Sequence, residues 1–319
     1  MAMTWAVSDG RAGNARQAEA LAQALSGTPA EAVHLQARAP WRWAAPRLLP
    51  GAATAFGPTF AGRLQQPPTV AIGCGRQAAL ATRLLRARGS RVVQILDPRL
   101  DRRYWDLLIV PAHDALRGDN VLPVLGSLHP VDDGWLAAGR ADFPQLARLP
   151  GPRLALLVGG PTAQVPWTLQ DLATLCAHLR AQLHAAGGSL LITASRRTPA
   201  AAIATLRAAC TDLPHLVWCD PRDGTNPYAG LLGWADALIA TADSVNLLSE
   251  ACATRVAVAA AFAEQARGRV LSYLQALRQR QRLQAPTEVL GLRADTAPIR
   301  ETERIALQVH ARLQGDATA

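Results

Sequence analysis

The stretch that most limits what this chain can fold into runs from Ala237 to Ala259. Ala237-Leu-Ile-Ala240 is a short apolar run of the kind that forms a strand buried on both faces. Thr241-Ala-Asp243-Ser244 is a polar turn. Ser244 is a good N-cap, because its hydroxyl accepts one of the backbone N–H groups left unpaired at a helix start. The following helix is expected to run to about Ala253, with Leu247, Leu248 and Ala251 on a buried face and Asp243, Asn246 and Glu250 on another stripe. Val256-Ala-Val-Ala259 reads as the next strand. A helix N-terminus at the carboxyl end of a parallel strand attracts phosphate through free N–H groups and the helix dipole. A carboxylate about two turns further on can accept hydrogen bonds from a ribose diol. The same spacing also describes an ordinary capped helix with a solvated polar face, and the residues leave both readings open.

The pattern recurs from the start of the chain. Thr4–Ser8 is a strand, Asp9-Gly-Arg-Ala-Gly-Asn14 a loop, and a helix follows from about Asn14 to Leu25. Asp9, Arg11, Asn14 and Gln17 bring polar groups to that helix entrance, which has neither GxGxxG nor a Walker sequence. It reads as a ligand loop or as a plain strand–helix turn. Strands are expected at Val33–Gln36, Val70–Ile72, Arg91–Leu96 and Trp105–Val110, with a helix from Arg76 to Arg88 after the turn Gly73-Cys-Gly75. Arg76 opposes the helix dipole, so it either binds an anion or faces solvent. Polar residues stand at four strand ends: Asp9; Arg76; Asp97 and Arg99; His113 and Asp114. Ligands of open parallel sheets bind at such ends. Between them, Trp41, Arg42, Trp43 and Arg47 alternate apolar and cationic groups, which suits a membrane interface or, in preference, a core-facing helix pair with solvated arginines.

Leu149-Pro-Gly-Pro152 is the clearest linker signal, after an expected linking helix at Leu136–Ala147. With 319 residues, two α/β domains are expected. The second half repeats the first: strands at Arg153–Val158, Ser189–Thr193 and Leu216–Cys219, and helices at Thr168–Ala186, after Pro199 as first helical residue, and at Asn226–Ala235. Its strand ends carry Gly159 and Gly160; Ser195, Arg196 and Thr198; Asn226 and Tyr228. Two close-approach glycines, an arginine beside hydroxyls and a helix N-terminus together suit a diphosphate, whereas Ser195–Thr198 alone also fits a solvated loop. Amphipathic, arginine-rich helices at Ala263–Gln279 and Glu301–Leu313 close the chain.

Charge and cysteines narrow the setting. There is no lysine, and 33 arginines against 24 acids leave a net charge of +9. Residues 1–150 hold 17 arginines and 11 acids, so the excess is larger there. Without a nucleic-acid-binding motif, that excess points to an anionic substrate or surface rather than nucleic acid. The five cysteines are scattered and read as reduced core residues, with no metal site expected. No apolar run spans a bilayer, and the first residues lack the pattern of a secretory leader, so a cytoplasmic location is expected.

Seven segments, in order, carry a family resemblance: Asp9-Gly-Arg-Ala-Gly-Asn14, Gly73-Cys-Gly-Arg-Gln-Ala78, Gln94-Ile-Leu-Asp-Pro-Arg99, Pro111-Ala-His-Asp114, Ser195-Arg-Arg-Thr198, Asn226-Pro-Tyr228, and Thr241-Ala-Asp-Ser-Val-Asn246 with Ser249-Glu-Ala251. Over roughly residues 4–260 the chain resembles the mitochondrial-fission (elongated-mitochondria) family, whose bacterial members are regarded as glycosyltransferases. The resemblance implies the α/β GT-B architecture: two Rossmann-like domains facing an interdomain cleft. The expected acceptor domain is 1–148, with the helix 300–314 crossing back to it, and the expected nucleotide-sugar domain is 149–299. The turn Ala263–Arg269 departs from the family pattern, which has Gly and Lys thereabouts.

Three functions follow as expectations. The first is a metal-independent glycosyltransferase. Its donor would meet Gly159, Gly160, Ser195, Arg196, Thr198, Asn226, Tyr228, Asp243, Ser244, Asn246 and Glu250. Its acceptor would meet Arg11, Asn14, Gly75, Arg76, Asp97, Arg99 and Asp114. Asp9, ahead of His113, would be the base. No cofactor is expected beyond the nucleotide-diphosphate sugar as substrate, and the acceptor would be a glycan or lipid-linked molecule, with peripheral contact at the inner membrane surface. The second is a nucleotide-sugar epimerase or hydrolase using Asp9, Asp97 and Asp114 as acids. The third is a non-catalytic adaptor, as the plant members are described to be.

Overall fold

The computed structural model describes residues 3–28, 30–287, 290 and 296–315. The chain divides into two compact units: residues up to Pro130 together with those from Glu301 onward, and Val131–Arg300.

The first unit opens with β1 (Thr4–Ser8), α1 (Ala12–Ser26) and β2 (Glu31–His34). It continues with the short helices α2 (Trp41–Ala44) and α3 (Pro58–Arg63), then β3 (Val70–Cys74), α4 (Arg76–Arg86), β4 (Arg91–Ile95), β5 (Leu107–Pro111) and β6 (Val121–Val124). The six strands pair in the order β2-β1-β3-β4-β5-β6, all parallel. Successive residues point to opposite faces, and both faces are covered, which is why the strands read as continuous apolar runs. Trp5, Val7, Leu108 and Val110 face one core with Phe60, Leu85 and Trp105. Ala6, Ile72, Val93 and Ile109 face the other with Leu21.

The second unit contains α5 (Asp133–Asp142), β7 (Arg153–Val158), α6 (Leu169–Ala186), β8 (Ser189–Ala194), α7 (Ala200–Ala208), β9 (His215–Trp218), α8 (Tyr228–Trp234), β10 (Ala237–Thr241), α9 (Val245–Cys252), β11 (Ala257–Ala261) and α10 (Gly268–Gln279). Its sheet is also wholly parallel, ordered β11-β10-β7-β8-β9. The chain then returns to the first unit as α11 (Glu301–Gly315). Ile305 and Val309 are fully buried with Leu21 in the second core of that unit. Burying each contributes about 1.5–3 kcal/mol.

Several elements differ from the sequence expectation. The second strand is Glu31–His34 rather than Val33–Gln36. As an edge strand with only Val33 buried, it shows too little apolar pattern to place its ends. Helix α1 starts at Ala12, so Gly13 sits in its first turn and not in the loop. Pro199 is the N-cap of α7 instead of its first residue. The helix expected at Ala263–Gln279 is broken: Ala263–Gln265 is a separate 3-10 turn. Gln164 then accepts from Arg267 N through its carbonyl and from Val270 N through its side chain, starting α10 afresh. The helix expected to link the halves packs on α8 inside the second unit, where Gly139 lies against the Ala229 backbone so closely that any Cβ would collide. In α2 the half-buried Trp41 packs against the core cluster of Ala45, Ala52, Ala55 and Leu80, as a core-facing segment should, while Arg42 and Trp43 are exposed.

Candidate functional site

Each sheet changes direction once, and the carboxyl ends of the strands at that point form the crevice where open parallel sheets bind ligands. In the second unit the change falls between β7 and β10. Gly159 and Gly160 follow β7; Thr241, Asp243 and Ser244 follow β10. Thr241 Oγ1 accepts from Gly159 N at 2.8 Å, and Asp243 Oδ2 accepts from Gly160 N at 2.9 Å. Asp243 also accepts from Trp167 Nε1 at 2.9 Å and Arg197 at 3.0 Å, and its side chain is wholly buried. Both glycines are therefore needed for close approach to the protein itself. A Cβ at Gly159 would lie 2.0 Å from the Asp243 carboxylate, and one at Gly160 2.2 Å from the Arg197 carbonyl oxygen. Their N–H groups are occupied. Thr198 adds to the same knot, donating to the carbonyls of Val158 and Gly159, while its hydroxyl accepts from Ser195 N at 3.0 Å.

Asp243 is thus the centre of a buried network and not a member of a solvated stripe. Arg197, and not the expected Arg196, is the arginine that reaches it. Arg196 is exposed. Both side chains come from one loop, and only packing selects between them.

Helix α9 begins with Ser244, whose Oγ accepts from Leu247 N at 3.4 Å, as expected of the cap. The N–H groups of Val245 and Asn246 have no acceptor among the described residues, which leaves two donors at the helix start. Asn246 is half-buried. Leu247, expected on the buried face, is half-buried too, whereas Glu250 is 2% exposed. Glu250 accepts a hydrogen bond from the hydroxyl of Tyr228, itself buried on α8. The exposed Asn226 accepts from Tyr228 N at 3.1 Å and so shapes the approach to that tyrosine. The far end of α9 is held by Arg282, which no motif had marked. It is 2% exposed and donates to the carbonyls of Ala251, Cys252, Thr254 and Val256. Burial lowers its pKa, with Cys252 opposing.

In the first unit the change of direction lies between β1 and β3. Asp9 Oδ1 accepts from Asn14 Nδ2 at 3.0 Å and from Arg11 N at 3.2 Å, and the Arg11 guanidinium lies 3.5 Å from Oδ2. Asn14 fills the space at this point: a Cβ on Gly75 would be 2.6 Å from its Nδ2, and the Cys74 thiol approaches its Oδ1 at 3.7 Å. Burial first, and then the charge of Asp9, push the Cys74 thiol well above its ordinary range. Asp9 and Arg76 follow adjacent strands, so both stand at the carboxyl edge. Gly75, Arg76, Asp97 and Arg99 line one pocket of about 340 Å³. The half-buried His113 and the buried Asp114 follow β5, separated from β1 by β3 and β4. The two candidate bases therefore stand at different strand ends.

A family model described as mitochondrial fission ELM1 matches residues 12–313. The chain belongs to this family. It is 31% identical over 241 residues to the mitochondrial fission protein ELM1 of Arabidopsis thaliana, a match covering 67% of this chain and 56% of the plant protein's length. Among solved structures it is similar to the UDP-GlcNAc 2-epimerase of Methanocaldococcus jannaschii, with a TM-score of 0.57 at 12% identity over 96% of this chain and 99% of that one. It is also similar to a glycosyltransferase from Rickettsia africae, with a TM-score of 0.51 at 9% identity over 97% and 98%. At such identities these are likenesses of fold, and the fold is that of the GT-B proteins. No helix among the described residues is long and apolar enough to cross a membrane.

Proposed function

We propose that this chain is a GT-B glycosyltransferase that moves a sugar from a nucleotide-diphosphate donor to an acceptor hydroxyl without a metal. The observation that carries the reading is the pairing, on one short helix, of two unoccupied N–H donors at the start of α9 with the buried carboxylate of Glu250 further along it. The donors suit the diphosphate, and Glu250 suits the ribose diol once the Tyr228 hydroxyl gives way. Arg197 stands beside this helix start through Asp243 and, with Ser244, would offset the charge that develops on the leaving diphosphate. Ser195, Arg196, Thr198, Asn226 and Asn246 would border the bound donor. Gly159 and Gly160 would serve it by shape, since their N–H groups are engaged.

The first unit would hold the acceptor through Arg11, Asn14, Gly75, Arg76, Asp97, Arg99 and Asp114. Asp9, ahead of His113, would take the hydroxyl proton. A cell-envelope or lipid-linked acceptor, used in the cytoplasm at the inner membrane surface, fits the basic, tryptophan-bearing segment around Trp43.

Thermal shift with a panel of nucleoside diphosphates and nucleotide-sugars tests the donor site, because a ligand that binds only the folded state raises Tm. In Glu250→Gln the amide oxygen still accepts from Tyr228, so the fold should persist while one charge-assisted bond to ribose weakens. Binding is expected to fall about tenfold or more. Product analysis with and without a hydroxyl acceptor then separates transfer from epimerisation or hydrolysis. If no nucleotide shifts Tm, the reading fails and a non-catalytic adaptor takes its place.

A further inference from the structure

Between Glu31 and Asp97 the chain has nine arginines and no carboxylate, so these 65 residues carry a charge equal to the whole protein's net +9. Arg63 pairs with Glu31, and Arg86 and Arg91 pair with Asp106. Among the described residues Arg38, Arg42, Arg47 and Arg76 form no ion pair. These four belong to one assembly. Arg42 N bonds Arg38 O at 2.9 Å, and the Arg76 guanidinium donates to Arg42 O at 2.9 Å. Arg83 donates to Pro46 O at 2.8 Å, so α4 grips the 38–47 segment at two points.

The pocket of about 340 Å³ lies against this assembly. Its charged lining is Arg47, Arg76, Arg99 and Asp97. The Asp97 carboxylate is already engaged by Arg99, from N at 2.8 Å and from Nε at 3.3 Å. Three guanidiniums against one paired carboxylate leave the pocket cationic. The start of α4 opens onto it through Gly75 and Arg76. Gly75 lacks a side chain to cap that helix, and the N–H groups of Arg76 and Gln77 have no acceptor among the described residues. An uncapped helix start beside three arginines is what a phosphate oxygen set requires. Apart from Gln94, whose amide donates to the carbonyls of Gly75 and Ile95, the remaining wall, including Pro46, Leu96 and Leu100, is apolar. On the segment that supplies Arg47, Trp43 is 65% and Leu48 45% exposed. Large exposed apolar side chains next to cations match a ligand that is apolar at one end and anionic at the other.

We propose that this pocket binds the phosphate group of an amphiphile, with Arg47, Arg76 and Arg99 around the phosphate and Trp43 and Leu48 against its apolar portion. That this amphiphile is the sugar acceptor rests on the function proposed above; its binding does not, and is measured with no nucleotide present. A soluble amphiphilic phosphate and a phospholipid headgroup share this chemistry.

Calorimetric titration of the full chain with decyl phosphate, inorganic phosphate and neutral decyl maltoside, each below any micelle concentration, tests it. Co-sedimentation with phosphatidylglycerol-containing vesicles, against pure phosphatidylcholine, distinguishes the membrane source. Arg47→Gln and Arg76→Gln are each expected to weaken decyl phosphate about tenfold, the loss of one charge-assisted contact. Arg88→Gln, the same charge change at an exposed position past the other end of α4, is expected to leave binding unchanged. Trp43→Ala is expected to weaken decyl phosphate and not inorganic phosphate. If the headgroup is drawn from a bilayer, the first two variants also cut vesicle binding and Arg88→Gln does not. Equal losses in all three arginine variants, decyl maltoside binding as well as decyl phosphate, or no phosphate binding at all would overturn the proposal. Inorganic phosphate binding as tightly as decyl phosphate would overturn its amphiphilic half.

Discussion

Asp243→Asn separates a residue that supports the site from one that touches ligand. The Asp243 carboxylate is wholly buried and accepts three hydrogen bonds: Gly160 N and Arg197 on Oδ2, Trp167 Nε1 on Oδ1. In asparagine the oxygen can keep the pair on Oδ2, but its NH2 then faces the indole N–H. One bond to a charged acceptor, worth about 1.5–3 kcal/mol, is lost, and two buried donors are left facing each other at a further cost of about 1–3 kcal/mol. The ion pair with Arg197 adds little, because that guanidinium is half exposed. A loss of about 3 kcal/mol is expected. For a unit of this size each kcal/mol moves Tm by about 2–4 °C, so the second-unit transition should fall by about 6–12 °C. Scanning calorimetry of the full chain, without ligand, is the assay. A fall below about 2 °C together with weakened nucleotide binding would refute the reasoning and make Asp243 a ligand contact.

Two further outcomes follow from buried groups. Arg282→Met should keep much of the packing but strip Thr254 O of its guanidinium partner at 2.7 Å and release the end of α9, costing about 2–4 kcal/mol by denaturant unfolding, with nucleotide binding lost in parallel; an unchanged unfolding midpoint would count against the role given to Arg282. Burial pushes the Cys176 thiol up to about 11 and, as the leading cause, those of Cys210 and Cys252 to about 12, so all three stay protonated at pH 8 and thiol-reactive dye should label them only slowly until denaturant is added.

The elements most visible in the sequence are those whose signal is local. Ser244 is a cap whatever surrounds it, because the hydroxyl and the N–H it accepts from are three residues apart. Strands such as β7 and β10 are apolar throughout because parallel sheets are covered on both faces, and their bounds were legible to within a residue. The edge strand β2, three of whose four residues face solvent, was not.

What the sequence determined, then, was the alternation of buried strand, polar turn and helix, and through its ordered motifs the family. Those properties depend on neighbours along the chain. Which of two adjacent arginines meets Asp243, that Glu250 lies under Tyr228, and that Asn14 closes the gap between β1 and Gly75 were decided by tertiary structure. Each of these contacts joins residues from separate elements, and spacing along the chain carries no information about which carboxylate a folded sheet will bury.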